Sequence, residues 1–117
     1  MGRRISFMAY VSITGLRLNS FFHAPQFWWH ALRSMAQAKS AQGLISADAH
    51  TINGVHHTLT LWQDRQAMQK FLASGAHLNA MKNFKSIAGG KVLGYEADAA
   101  PGWDEVHELW RSKGRDL

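Results

Sequence analysis

The chain has 117 residues, 46% of them hydrophobic, with 13 Lys or Arg against 8 Asp or Glu. That is enough to bury a core in a single compact domain. With no cysteine, disulfides, thiolate metal sites and thiol nucleophiles are excluded. The basic residues are scattered, with no run longer than Arg3-Arg4, and no nucleic-acid-binding motif accompanies them, so the +5 charge reads as a solvated surface and not a nucleic-acid footprint. No apolar stretch reaches the roughly 20 residues of a membrane span, and no secretory leader pattern is present, so a cytoplasmic protein is expected. Met1-Gly2-Arg3-Arg4-Ile5-Ser6 fits the bare N-myristoylation pattern, but the arginine pair reads better as a solvated end before the first strand.

The first predicted strand runs from Ile5 to Leu18. Phe7, Ala9, Val11 and Ile13 form one side, and Met8, Tyr10, Ser12 and Thr14 the other. A helix is predicted from Pro25, where a missing backbone donor does no harm. Phe27, Trp28, Ala31, Leu32, Met35 and Ala36 fall on its apolar face, while Gln26, His30, Arg33 and Gln37 face away. Phe27 and Trp28 are the expected anchors on the aliphatic side of the sheet, Trp29 lies off the stripe, and Gly43 suits a left-handed C-cap.

Asn53-Gly54 is the pair a two-residue type I′ hairpin turn requires, since both central residues need positive φ. Pairing Ile52 with Val55 sets His50 opposite His57, Thr51 opposite His56, Ala49 opposite Thr58, Ala47 opposite Thr60 and Ile45 opposite Trp62. The strand ending at Trp62 has Thr58, Thr60 and Trp62 on one face and Leu59 and Leu61 on the other. Asp64 caps a short helix with Ala67, Met68, Phe71 and Leu72 inward. After Gly75 a second helix, residues 76 to 88, carries His77, Ala80, Met81, Phe84 and Ala88 on one stripe. Gly89-Gly90 ends it, residues 91 to 99 form a fourth strand, and after Pro101-Gly102 a last helix begins at Trp103 or Asp104. That helix must dock on the domain or on a partner, because Trp103 and Trp110 are costly to leave wet.

Three histidine groups deserve separate readings. His50 and His57 lie across the hairpin but lack a third ligand beyond Asp48, which makes a weak metal signal, and no metal site is assigned. His56 shares a face with Thr58 and Trp62 and suits the mouth of a pocket. His77 sits on an apolar helix face, where it is either a satisfied boundary residue or an imidazole that binds or moves a proton.

The order strand, helix, strand, strand, helical pair, strand is that of a ferredoxin-like βαββαβ sandwich: an α+β fold with a four-stranded antiparallel sheet and helices on one face. The expected single domain spans residues 1 to 117, with a core of about 5 to 99 and a C-terminal helical extension of about 102 to 115. The bare sheet face calls for a cover, and two copies stacked sheet to sheet, a homodimer, would supply one.

The run Leu59-Thr60-Leu61-Trp62-Gln63-Asp64, followed by Met68, Phe71 and Ser74-Gly75-Ala76-His77, resembles the antibiotic-biosynthesis-monooxygenase superfamily of dimeric α/β-barrel proteins. With Phe27-Trp28-Trp29-His30-Ala31-Leu32-Arg33 and Gly43-Leu44, it is most similar to the spheroidene-monooxygenase-like members, over about residues 7 to 98. The resemblance implies a pocket between sheet and helices, used by relatives to oxygenate aromatic, polyketide or carotenoid substrates or to hold haem. It makes Trp62 a pocket-lining tryptophan. The haem-degrading branch pairs a first-strand asparagine with a helical tryptophan and histidine; this chain lacks the asparagine and has Phe71 and Met81 at the nearest helical positions.

The functional expectation is a monooxygenase-like protein binding a hydrophobic aromatic or polyene molecule, with no cofactor or with haem. His77 would be the proton acceptor, or the haem ligand in the haem variant, and Trp62 would act with it. Tyr10, Thr58, Thr60, His56, Met68 and Met81 would contact the substrate. The alternative is a non-catalytic or haem-binding dimer of the same fold.

Overall fold

The computed structural model describes residues 8–117, apart from the side chains of residues 76, 85 and 86. The start of the predicted first strand and the Met1-Gly2 pattern lie outside the described residues. The elements are β1 (Ala9–Leu18), a 3-10 turn (Phe21–His23), α1 (Ala24–Lys39), β2 (Leu44–Ile52), β3 (Val55–Trp62), α2 (Arg65–Leu72), α3 (Gly75–Ile87), β4 (Ala88–Ala97), α4 (Trp103–Lys113) and β5 (Arg115–Asp116). All strand pairs are antiparallel, in the order β2-β3-β1-β4-β5. The first four strands keep the ferredoxin-like order. The short β5, which pairs Arg115 with Val92 and Asp116 with Lys91, makes the sheet five-stranded where four were expected.

The hairpin forms as Asn53-Gly54 dictates, with φ of 52° and 78° at the two turn residues and His50 opposite His57, Thr51 opposite His56 and Ala49 opposite Thr58. At its far end the ladder shifts between Leu44 and Ser46, which brings Leu44, not Ile45, opposite Trp62. A bulge of this kind adds a residue to one strand and is invisible to turn-based register counting. Helix α1 stops at Lys39 with Ser40 as its C-cap, and Gly43 uses its φ of 89° in the turn into β2. Gly89 and Gly90 do not end a helix but sit inside β4.

The larger correction concerns which sheet face the helices choose. Helices α1 to α3 pack on the face bearing hydroxyls, not on the aliphatic face. Leu16 gathers Phe27, Ala80, Phe84 and Ile87 at one end of that face, and Trp62 gathers Ala38, Met68 and Phe71 at the other. The aliphatic face, with Ala9, Val11, Ile13, Val55, Leu59 and Leu61, buries Val106 and Trp110 of α4. So the chain supplies a cover for this face itself, and the reason the sequence offered for a second copy there is weakened.

The docking of α4 is specific. Gly15 on β1 leaves room that a Cβ would fill by striking both the Trp110 indole and the His57 imidazole. Trp110 donates its indole N–H to the Lys91 carbonyl at 2.8 Å, and Trp103 lies 4.1 Å from the His50 ring. His57 has its Nδ1 3.3 Å from the Thr14 carbonyl and its Nε2 2.9 Å from Nδ1 of His107. Since a carbonyl can only accept, His57 donates from Nδ1 and accepts at Nε2, an arrangement that needs a neutral ring. His50 and His57 therefore hold the last helix; among the described residues no group of three side chains is placed to ligate a metal ion.

Burial lowers the pKa of His57 against the opposing Thr14 carbonyl, with His107 and His56 adding repulsion, and burial also lowers those of His56 and His77. In all three the folded state resists a proton that the unfolded chain accepts near pH 6.5. The unfolded state thus binds more protons below that pH, and stability must fall as pH drops through it. Urea midpoints are expected to decrease between pH 7.5 and 5.5, with a shallower decrease in His57→Gln; identical midpoints at the two pH values would contradict the arrangement.

Candidate functional site

Because the two apolar clusters sit at opposite ends of the mixed sheet face, the middle of that face is left unfilled. A cavity of about 260 Å³ opens there. Ser12, Thr14, Thr58 and Thr60 form its floor, Phe27, Ala31 and Met35 of α1 one wall, and Met68, Phe71, His77, Met81 and Phe84 of α2 and α3 the others. Cross-strand pairing of Ser12 with Thr60 and of Thr14 with Thr58 makes the floor a compact block of four hydroxyls. The site is apolar overall with a few convergent polar groups, as small-molecule sites generally are.

Trp62 closes one end. It is 0% exposed, packs with its ring tilted against Phe71 at 5.2 Å, and donates its indole N–H to Thr60 Oγ1 at 2.9 Å. Thr60 in turn donates to the Ser12 carbonyl at 3.4 Å. Both polar groups are already engaged, so Trp62 offers a ligand a flat wall and Thr60 offers little beyond its methyl. Among the described residues, Ser12, Thr14 and Thr58 have no side-chain hydrogen-bond partner, which leaves their hydroxyls to a ligand or water.

His77 is held by an interaction between helices. Ser74 precedes α3 without capping it, and Gln37 of α1 takes over: its Oε1 accepts the His77 backbone N–H at 2.7 Å, while its Nε2 donates to Ser74 at 2.9 and 3.0 Å. This surrogate cap contradicts the sequence expectation that Gln37 faces away. It fixes His77 in the first turn of α3, 4.5 Å from the Phe71 ring. Burial lowers the His77 pKa, partly offset by the nearby Leu72 carbonyl. The positive end of the α3 dipole also disfavours an imidazolium. Among the described residues, His77 Nδ1 is the buried side-chain polar atom left without a hydrogen-bond partner. His77 lines the cavity, and a neutral imidazole with an unpaired nitrogen is able to accept a proton or a hydrogen bond once a side-chain rotation turns that nitrogen to a bound molecule.

The remaining expectations divide. His56 lines the cavity at its mouth, bonded to the Thr51 hydroxyl at 2.9 Å and flanked by Phe27 and Trp28 rings at 4.9 and 5.1 Å. Met68 and Met81 line it as well. Tyr10 does not: it packs beside Trp62 and lies across Gly94, where a Cβ would strike its ring and hydroxyl. Strand alternation alone put Tyr10 with the hydroxyls, but its ring lies diagonally across Gly94, the β4 partner of Ser12. Trp28, expected in the core with Phe27, is 41% exposed at the rim, and Leu72 is exposed too. Ser12 and Thr14 were not singled out as site residues, although their alternation with Val11 and Ile13 and their place on the Tyr10 side were the signal. Replacing Thr14 and Thr58 together by Val keeps the shape and removes two free hydroxyls. Binding of a hydroxylated aromatic is expected to weaken about thirtyfold in titration calorimetry, each of the two lost hydrogen bonds contributing on the order of 1 kcal/mol; unchanged affinity would remove these hydroxyls from the site.

Haem does not fit these residues. A tetrapyrrole with two propionates is much larger than a cavity of about 260 Å³. Among the described residues its lining holds no Lys or Arg to pair with two propionates, and Phe71 packs against the His77 imidazole.

No protein-family model matches the sequence, and no curated protein matches it. Solved structures do match the fold. SnoaB, a cofactor-independent oxygenase from Streptomyces nogalater, superposes with a TM-score of 0.66 at 12% identity over 78% of this chain and 94% of its own. A candidate antibiotic biosynthesis monooxygenase from Deinococcus radiodurans gives 0.66 at 20% identity over 79% and 96%. A conserved protein from Methanosarcina mazei Go1 gives 0.68 at 10% identity over 75% and 91%. At these identities what is shared is the ferredoxin-like fold.

Proposed function

We propose that this protein is a cofactor-independent monooxygenase-like protein whose cavity takes a hydrophobic aromatic or polyene molecule carrying an acidic hydroxyl or an activated CH₂. The support for the reading is His77, a residue lining an apolar cavity floored by hydroxyls, whose Nδ1 is buried and unpartnered among the described residues. The cofactor-independent oxygenase SnoaB, on the same fold, supports it. One fold hosts many activities, and the side chains of the site decide between them.

In this reading His77 takes a proton from the substrate, leaving an electron-rich anion held by the Thr14 and Thr58 hydroxyls and stacked between Phe71 and Phe27. The anion gives electrons to dioxygen. Over the full reaction a ring CH₂ and O₂ become C=O and H₂O, one oxygen atom going to each product, with the substrate supplying all four electrons. Apolar walls exclude water from the anion and admit dioxygen. Polyene substrates of the spheroidene-monooxygenase-like type would place a long chain through the mouth beside Trp28 and Leu32. Assembly as a homodimer belongs to the same proposal and has its support in β2, an outer strand whose residues are mostly exposed. Sedimentation equilibrium tests the assembly. Oxygen consumption with hydroxylated polycyclic aromatics tests the chemistry, since binding without oxygen uptake would mark a non-catalytic binder.

A further inference from the structure

Helix α1 presents an apolar face to solvent beside the cavity mouth. Pro25, Trp29, Leu32 and Ala36 recur at helical spacing, and Trp28 borders them. Trp29 is 61% and Leu32 65% exposed. Just ahead of the helix Phe21 and Phe22, 76% and 78% exposed, stack on each other at 4.3 Å without reaching the core. Arg33 lies 5.7 Å above the Trp29 ring. Contiguous exposed aromatics of this kind mark an interaction surface.

The charge pattern identifies what the surface fits. Although the basic residues look scattered, the first carboxylate in the chain is Asp48, and Arg3, Arg4, Arg17, Arg33 and Lys39 all precede it. The other eight Lys and Arg are matched by the eight Asp and Glu, so the whole net charge of +5 lies ahead of Asp48. Of the basic residues ahead of Asp48, Arg33 and Lys39 stand on α1 itself, which carries no Asp or Glu, so the helix that bears the exposed aromatic face is basic. Trp and Phe beside Arg and Lys on an amphipathic helix are the composition that settles into the headgroup layer of an anionic bilayer. No helix among the described residues is long and apolar enough to span one.

We propose that the Phe21-Phe22 turn and the exposed face of α1 dock this protein on an anionic lipid surface. Trp28 and Leu32 belong both to this face and to the cavity lining, so a lipophilic molecule could pass from the bilayer into the cavity without crossing water. The docking does not rest on chemistry in the cavity, and its test reads binding with the cavity empty.

The full-length protein is mixed with vesicles of equal parts phosphatidylglycerol and phosphatidylcholine and, separately, with phosphatidylcholine alone, then sedimented. Preferential binding to the anionic vesicles is expected, weakened when salt is raised from about 0.1 to 0.5 M. The triple variant Phe21→Ser, Phe22→Ser, Trp29→Ser should bind at least tenfold more weakly with an unchanged thermal midpoint, because these side chains are exposed. The proposal is overturned by no partition onto anionic vesicles, by equal binding to neutral ones, or by a triple variant that binds like the parent. Self-association through this face, abolished by the triple variant in sedimentation velocity with no vesicle binding, would also overturn it in favour of a second copy as occupant.

Discussion

Replacing Trp62 by Ala is expected to lower unfolding free energy by about 3–5 kcal/mol, the range for deleting a large buried aromatic. Trp62 is fully buried and holds together Phe71, Met68 and Ala38, the contacts by which α2 and the end of α1 attach to the sheet. Removing it would enlarge a cavity already present, and the walls have little freedom to collapse, since the Gln37 clamp ties α1 to α3. Trp62→Phe should cost much less: the ring survives, and Thr60 still donates to the Ser12 carbonyl. Urea unfolding of the pair decides the matter. A loss under about 1 kcal/mol for the alanine variant would mean that Trp62 is not the wall described. It follows that any effect of Trp62 on activity should be read from the phenylalanine variant, whose fold is intact.

His77→Ala and His77→Gln are both expected to reduce oxygen consumption on a responsive substrate by tenfold or more, at least about 1.4 kcal/mol in barrier. Glutamine keeps the volume and a hydrogen-bond acceptor but cannot act as a base, so it separates proton transfer from shape. The pH profile carries the sign. The active form is the neutral imidazole, so kcat/KM should rise with pH through the His77 pKa and then level off. Burial lowers that pKa, so the plateau should persist below pH 6.5 and fail only in more acid solution. The acid limb should vanish in His77→Gln. Full activity in both variants would transfer the proton-accepting role away from His77.

How far the sequence foretold this site depends on which physical signal was local. The Asn53-Gly54 turn fixed the hairpin register for most of its length because both residues must adopt positive φ. The Asp64 cap was equally legible, its carboxylate accepting the Ala67 N–H at 2.8 Å. Alternation along β1 and β3 correctly separated a hydroxyl face from an aliphatic one. What alternation could not say was which face the helices would take. Aliphatic residues fill both choices once Leu16 and Trp62 anchor the ends of the hydroxyl face, and Val106 and Trp110 then satisfy the other. Tyr10 was misplaced because its ring follows the gap above Gly94, a long-range contact. Gln37 was missed for the same reason: it caps a helix that begins far along the chain.

The most direct test of the account is the imidazole nitrogen spectrum of His77, recorded by long-range ¹H–¹⁵N correlation while 1-naphthol, a hydroxylated bicyclic aromatic, is titrated in at pH 7. The account predicts that free His77 is neutral with a bare Nδ1, and that this nitrogen moves toward the hydrogen-bonded or protonated range as the ligand saturates. A His77 signal that stays fixed while the ligand binds, or one already protonated in the free protein, would contradict it.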